Sequence, residues 1–256
     1  MYTWRRKMFA GIYNENTYKM TSTDPNVQYD PTEAGKAMYY YRNTEEKPVV
    51  DASGNPVLDE AGNQTVETVT TTLASTDWNK GDFYMTKKST IPPIYGGFGT
   101  TLRFYGFDLS ANFSYQIGGF GYDGTYQTFM SSPTSSSTGT NYHADILKSW
   151  SATNQGSDIP RFQYEDRYTA GTSDRFLTKA SYLNIENINF GYTLPASVLA
   201  KLRIQGLRIY AAAENVFYWS KRRGFDPRHT YNDTDLMNAT TYSPMRSISA
   251  GINLTF

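Results

Sequence analysis

Apolar and polar residues alternate with a period of two over several long stretches, the pattern of β-strands with one apolar face. Read back from the end of the chain, Phe256, Leu254, Ile252, Ala250 and Ile248 share one parity, and Thr255, Asn253, Gly251, Ser249 and Ser247 fill the other. Phe107, Leu109, Ala111, Phe113, Tyr115 and Ile117 alternate with Asp108, Ser110, Asn112, Ser114 and Gln116. Phe98, Leu102 and Phe104 oppose Thr101 and Arg103. Leu207, Ile209, Ala211 and Ala213 oppose Arg208, Tyr210 and Glu214, and Phe217 and Trp219 extend the apolar row. The stretch 181–194 breaks the rule: Ile188, Phe190, Tyr192 and Leu194 agree, but Leu183 and Ile185 have the other parity. One inserted residue flips every side chain after it, so a bulge or a change of face is expected near Asn187.

Alternation alone fits a soluble β-sandwich with its stripe in a core. Length and connections point elsewhere. Runs of about 9–11 residues suit tilted strands crossing a bilayer, whereas soluble strands run about 5–6. Aromatics gather near strand ends, at Tyr115, at Tyr192 beside Leu194, and at Phe217, Tyr218 and Trp219, as interfacial girdles do. The connections sort by length: 43–96, 118–180 and 220–243 are long and polar, while Tyr105-Gly106 and 195–204 are short. An up-and-down barrel in an outer membrane has this alternation, with short turns inside and long loops outside. The expected fold class is therefore all-β, an antiparallel transmembrane β-barrel, with the three long connections extracellular.

The loops carry turn chemistry. Asp51-Ala52-Ser53-Gly54-Asn55 and Asp59-Glu60-Ala61-Gly62-Asn63 repeat one pattern, in which Asp caps and Gly supplies a positive φ. They predict β-ribbons projecting beyond the membrane. Their Asp and Asn content lacks the order of ligands in an EF-hand. Ser131–Thr140 reads as a flexible loop, and residues 141–150 as a helical turn or two. The first forty residues pattern weakly.

Composition narrows the function. The 24 basic and 24 acidic residues cancel, so nothing marks a nucleic-acid surface. With no cysteine, disulfides, thiolate metal sites and cysteine nucleophiles are excluded. No stretch approaches eighteen apolar residues, so no helical span is expected. The opening MYTWRRKMFAGIYNENTY has no apolar core and no small-residue cleavage site, unlike a signal peptide. His143 and His229 sit in different loops without ligand-spaced partners, and no nucleophile, phosphate-loop or metalloprotease motif occurs. No enzyme, cofactor or metal site is expected. Glu214 is expected to face the lumen, where it either lines a wet permeation path or pairs with a lumenal arginine such as Arg103. Lys221-Arg222-Arg223 after Trp219 reads either as a clamp for lipopolysaccharide phosphates or as a solvated loop root. Tyr122, Tyr126, Tyr142, Tyr164 and Tyr168 lie in the longest connection, where their rings either stack on substrate or pack the loop.

The phrases Gly97–Leu109 (GFGTTLRFYGFDL), Phe113–Gly119 (FSYQIGG), Ser173–Leu183 (SDRFLTKASYL), Gly191–Pro195 (GYTLP), Ala213–Phe217 (AENVF), Gly224–Pro227 (GFDP) and Ser249–Phe256 (SAGINLTF) resemble SusC/RagA-type TonB-dependent outer-membrane transporters of Bacteroidetes. The resemblance implies a C-terminal portion of a plugged, twenty-two-stranded barrel in the outer membrane of a Gram-negative bacterium. It implies import of glycans or oligopeptides with a SusD-like lipoprotein and TonB, which would act through a plug carried outside this chain. The partners implied are the remaining barrel and plug polypeptide, that lipoprotein, TonB and outer-membrane lipid, with no nucleic acid. In such a barrel Ile248, Ala250, Ile252, Leu254, Leu109 and Phe113 would face lipid, and Glu214, Arg103 and Asn253 the lumen. Phe256 would be the terminal aromatic read by the assembly machinery. A small free-standing outer-membrane barrel and a soluble β-sandwich carbohydrate-binding module are the two other readings the strands allow.

Overall fold

The computed structural model describes residues 3–135, 141–166, 168–229 and 244–256. Part of the Ser131–Thr140 loop and most of the 220–243 connection therefore lie outside the described residues. In chain order the strands are β1 (Thr3–Lys7), β2 (Phe9–Ile12), β3 (Ala37–Pro48), β4 (Val66–Ser75), β5 (Phe83–Ser89), β6 (Ile94–Phe104), β7 (Phe107–Ile117), β8 (Phe120–Tyr122), β9 (Leu177–Lys179), β10 (Tyr182–Thr193), β11 (Gly206–Ser220) and β12 (Ser247–Thr255). Two short helices, α1 (Gly124–Phe129) and α2 (Ala196–Leu202), accompany them. Among the described residues no helix is long and apolar enough to cross a membrane.

The chain forms two compact units. The first holds residues 1–4, 87–124 and 177–256, the second residues 5–86 and 125–176.

The first unit is built on a five-stranded antiparallel sheet in the order β12-β11-β10-β7-β6. Tyr105 (φ 47) and Gly106 (φ 87) join β6 to β7. Positive φ at both central residues gives the primed turn whose twist matches a hairpin. Pro195 caps α2, and Arg203 in the left-handed conformation ends it, so β10 reaches β11 within a few residues. At the opposite end, 118–181 joins β7 to β10 and 221–246 joins β11 to β12. Both short connections thus lie at one end of the sheet and both long ones at the other.

Two bulges explain the broken parity in β10. Between Ala111 and Phe113 on β7 there are two steps, between the partners Ile188 and Ile185 on β10 three, and between Ala213 and Phe217 on β11 four. Relative to β7, β10 has one extra residue and β11 two. One extra residue switches the parity of the side chains, and two restore it. That is why alternation fails in sequence at 181–194 yet runs unbroken through Phe217 and Trp219. Asn215, at φ 49, takes up the kink in β11; Asn tolerates that conformation better than most residues.

The second unit contains a sheet in the order β2-β3-β4. Its core joins Tyr13, Met38 and Ala74, flanked by Ala10, Tyr18, Met20, Tyr29 and Tyr40. The β3–β4 pairing runs from Tyr39↔Ser75 to Pro48↔Val66, so the 43–96 connection contains a β-ribbon around its two turns. At its tip Asp51 accepts from the amides of Ser53 (2.8 Å) and Asn55 (2.9 Å). Asp59 does the same for Ala61 (2.9 Å) and Asn63 (2.8 Å). Gly54 and Gly62 both have φ 84. The repeated sequence makes a repeated turn. Residues 144–148 form the expected helical turn, of 3-10 type.

Candidate permeation wall

The register gathers the alternating residues of the first unit onto two faces. One face carries Phe98, Leu102 and Phe104 of β6, then Phe107, Leu109 and Phe113 of β7. Across β10 the same rows meet Tyr192, Phe190 and Ile188, and past the bulge Ile185 and Leu183. They continue on β11 as Ile209, Ala211, Ala213, Phe217 and Trp219, and on β12 as Leu254, Ile252, Ala250 and Ile248. Leu109, Phe113, Ile248, Ala250, Ile252 and Leu254 therefore share one face. Among the described residues much of it stays uncovered: Ile248 is 76% exposed, Ile252 67% and Trp219 61%.

Rings concentrate at the two ends of this face. Phe107 lies 5.6 Å from Phe104, 5.7 Å from Phe190 and 4.4 Å from Tyr192, centroid to centroid. Toward the long connections Phe98 stacks on Phe113 at 4.8 Å, with Tyr115 at 6.2 Å, and Phe217 meets Trp219 at 5.1 Å. Phe107 and Tyr115 stand about 26 Å apart along β7 at ~3.3 Å per residue. Tilted by about 40°, that spans roughly 20 Å of depth, close to the apolar band of an outer-membrane barrel.

The other face is polar and cross-linked. Asn112 donates to Asn187 Oδ1 (3.0 Å). Asn189 lies 3.4 Å from Ser110, and Asn184 3.4 Å from Ser114. Arg228 donates to Asn184 Oδ1 (3.0 Å) and forks onto Asp226, whose carboxylate raises the Arg228 pKa above its ordinary value. Near the short turns Arg208 forks onto Asp108 at 3.1 and 2.6 Å, beside an open cleft that Arg103 and Thr193 also line. Tyr210 lies over Gly251, where an added Cβ would sit 2.6 Å from the ring.

Glu214, Arg103 and Asn253 all fall on this polar face. The expected Glu214–Arg103 pair does not form. Glu214 is in register with Asn187, Asn112 and Gly99, whereas Arg103 is in register with Asp108. The two are four residues apart along the strands, about 13 Å, and several strands apart across them. Near the short turns the ion pair that does form on this face is Arg208–Asp108. Its sequence signal was two opposite charges of polar parity, each near a short turn, with Gly191 in the strand between.

The five tyrosines do not converge. Tyr122, buried in β8, lies 6.3 Å from the Trp4 ring. In the second unit Tyr126 donates to Asp145 (3.1 Å) and packs edge-on against His143. Lys148 and Tyr126 help hold the Asp145 carboxyl below its ordinary pKa, Lys148 most strongly. Tyr142 packs edge-on against Phe162, and Tyr168 stacks on Trp78 while its hydroxyl accepts from Asn79 (2.6 Å). Tyr164 alone of the five is exposed, at 61%. Phe256, 80% exposed, directly follows β12. Among the described residues no group of three metal-ligating side chains forms.

A meandering antiparallel sheet with an uncovered apolar face, a polar hydrogen-bonded face and connections sorted by length defines a segment of transmembrane β-barrel wall. Comparison with known proteins gives the same class. The chain is 28% identical over 173 residues to TonB-dependent receptor P3 of Formosa agariphila, a match covering 64% of this chain and 16% of that protein. It is 22% identical over 175 residues to TonB-dependent receptor P26 of the same organism, covering 66% and 17%. In fold it matches the RagAB peptide transporter with a TM-score of 0.60 at 23% identity, over 99% of this chain and 23% of that one. It matches the RagAB peptide importer in its closed-closed state with a TM-score of 0.59 at 25% identity. No protein-family model matches. The chain is thus similar, in sequence over about two thirds of its length and in fold throughout, to part of a SusC/RagA-type TonB-dependent transporter. It spans about one sixth of the length of these curated relatives.

Proposed function

We propose that this chain is barrel wall of a TonB-dependent importer in the outer membrane of a Gram-negative bacterium of the Bacteroidetes, and that it takes part in passage and binding rather than bond chemistry. The observation that carries this reading is the pairing of an uncovered apolar face with a cross-linked polar face over the same five strands. Lipid wets the first and the water-filled lumen the second. Ile248, Ala250, Ile252, Leu254, Leu109 and Phe113 contact lipid, while Glu214, Arg103 and Asn253 line the lumen. The short connections face the periplasm and the long ones the exterior.

The sheet ends in two strands, β6 and β12, each paired on one side only among the described residues. Unpaired backbone groups in hydrocarbon cost several kcal/mol each, so both edges pair with further barrel polypeptide. A plug and TonB then supply the energised step. The cargo is an oligopeptide or a glycan, and a SusD-like lipoprotein is the outer partner; the RagAB likeness favours peptide. Phe256 keeps the assembly role that the resemblance implies.

Purification from membranes in mild detergent, with mass spectrometry of all that travels with the chain, tests the reading. The expected result is detergent-dependent extraction together with polypeptide that carries further barrel strands and with a lipoprotein. A folded monomer in detergent-free buffer would contradict it.

A further inference from the structure

The root of the long connection after β11 carries more positive charge than its own structure uses. The Ser220 hydroxyl lies 2.7 Å from the Arg222 carbonyl and 2.8 Å from that of Phe225. With Gly224 at φ 85, these contacts fix the root as a defined turn. Arg222 pairs with Asp123 at 3.1 Å, where the carboxylate is only 7% exposed. Arg228 forks onto Asp226. Both carboxylates are engaged. Lys221 and Arg223 are exposed, and among the described residues neither joins an ion pair or hydrogen bond. Among the described residues of this root and its partners, four cations meet two anions.

Their position gives the surplus a use. Lys221 follows Trp219 by two residues, just past the end of β11, whose last residues expose the Phe217 and Trp219 rings on the apolar face. Indole and phenol rings settle at the boundary between acyl chains and headgroups. Cations just beyond such a belt stand at the level of lipid phosphates, where each adds attraction to an anionic surface. A guanidinium offers phosphate a two-pronged contact and an ammonium a compact point charge.

We propose that Lys221 and Arg223 bind the phosphate groups of an anionic glycolipid in the outer leaflet, with Trp219 seated beside its acyl chains. This inference rests on the membrane reading above.

The test uses the whole assembled protein in phosphatidylcholine nanodiscs, titrated with bisphosphorylated lipid A, with the dephosphorylated lipid and with inorganic phosphate. Insertion is scored separately, by heat-modifiable migration and by recovery in the disc fraction. The native protein is expected to bind the bisphosphorylated lipid and neither control. K221Q/R223Q should insert normally and bind roughly thirtyfold more weakly, about fivefold for each cation. K221E/R223E should bind more weakly still. K201Q, an exposed cation in α2 at the far end of the sheet, should leave binding unchanged. Normal insertion with unaltered binding in K221Q/R223Q overturns this inference alone, as does inorganic phosphate that competes as well as the lipid. Failure of the native protein to enter the discs overturns the membrane reading and this inference with it.

Discussion

Arg208 reaches Asp108 across the width of β10 because Gly191, the residue between them, has no side chain. An added Cβ there would sit 2.4 Å from Arg208 Nη2 and 2.6 Å from Asp108 Oδ1. The pair joins β11 to β7, strands that are not neighbours, on the face assigned to the lumen. Glycine in a strand interior is a local cost; here it admits a contact that ties three strands together.

Gly191→Ala should therefore act by displacing the pair. With side chains 34% and 28% exposed, the pair is screened by water and its contribution is small. In urea unfolding of the assembled barrel, Gly191→Ala is expected to cost about as much as Asp108→Asn, and the double variant no more than either. Additive costs in this cycle would show that Gly191 and the pair act separately.

Ile188 and Asn189 are adjacent in β10 and lie on opposite faces, far from both strand ends. Ile188→Arg puts a charge in the lipid near mid-depth, at a cost of about 2–4 kcal/mol. Asn189→Arg puts the same charge in the wet lumen and should lower the folded fraction little. This neighbour pair is a cleaner comparison than one at Asn253, which lies opposite Arg208, where a new arginine would meet a like charge. Equal losses of folded barrel for the two variants would contradict the assignment of faces.

The bulge can be read by cross-linking, since the chain has no cysteine of its own. The observed register sets Leu183 opposite Tyr115; an unbulged β10 would set Asn184 there. Directly opposed residues on antiparallel strands lie within reach of a disulfide. Leu183→Cys/Tyr115→Cys should oxidise to a cross-linked species and Asn184→Cys/Tyr115→Cys should not. The reverse result would remove the bulge.

The twin turns at the tip of the β3–β4 ribbon should respond to acid. Backbone amides, those of Asn55 and Asn63 foremost, hold the Asp51 and Asp59 carboxyls below the ordinary carboxylate range. A folded-state pKa below the unfolded one means that the contribution is complete above the ordinary range and is lost as pH falls below it. Amide exchange at Ser53, Asn55, Ala61 and Asn63, corrected for intrinsic rates, should rise as pH falls below the ordinary carboxylate range. Asp51→Asn/Asp59→Asn should show no such rise, because the amide oxygen accepts without titrating. Identical pH profiles would exclude the carboxylates as the cause.

Much of the wall was legible in the sequence, because period-two alternation is a local property and Leu109, Phe113, Ile248 and Ile252 each lie in an unbroken run. Loop lengths were equally plain. Pairings between distant strands were not. Glu214 and Arg103 share the polar face, as their parity says, but which residue meets which depends on the register that the short connections set between strands distant in sequence. That register places Arg208 within reach of Asp108. The core of the second unit was hidden for another reason: β2 is four residues long, too short to alternate, and its buried neighbours include Tyr39 and Lys7, which no apolar pattern marks. Lys7 lies with Nζ 3.6 Å from the centre of the Trp78 ring and donates to the Trp78 carbonyl. Burial lowers its pKa against the pull of Asp77 and Asp82.

The central claim is that lipid wets the apolar face of the five-stranded sheet. Single cysteines placed in turn from Leu207 to Glu214, spin-labelled in the assembled protein in nanodiscs, test it most directly through collision with oxygen, enriched in lipid, and with a water-soluble nickel chelate. The expected result is alternation with period two, in which Leu207, Ile209, Ala211 and Ala213 are open to oxygen and Arg208, Tyr210, Ala212 and Glu214 to nickel. Equal access of the chelate to both sets, or oxygen access without alternation, would contradict the claim.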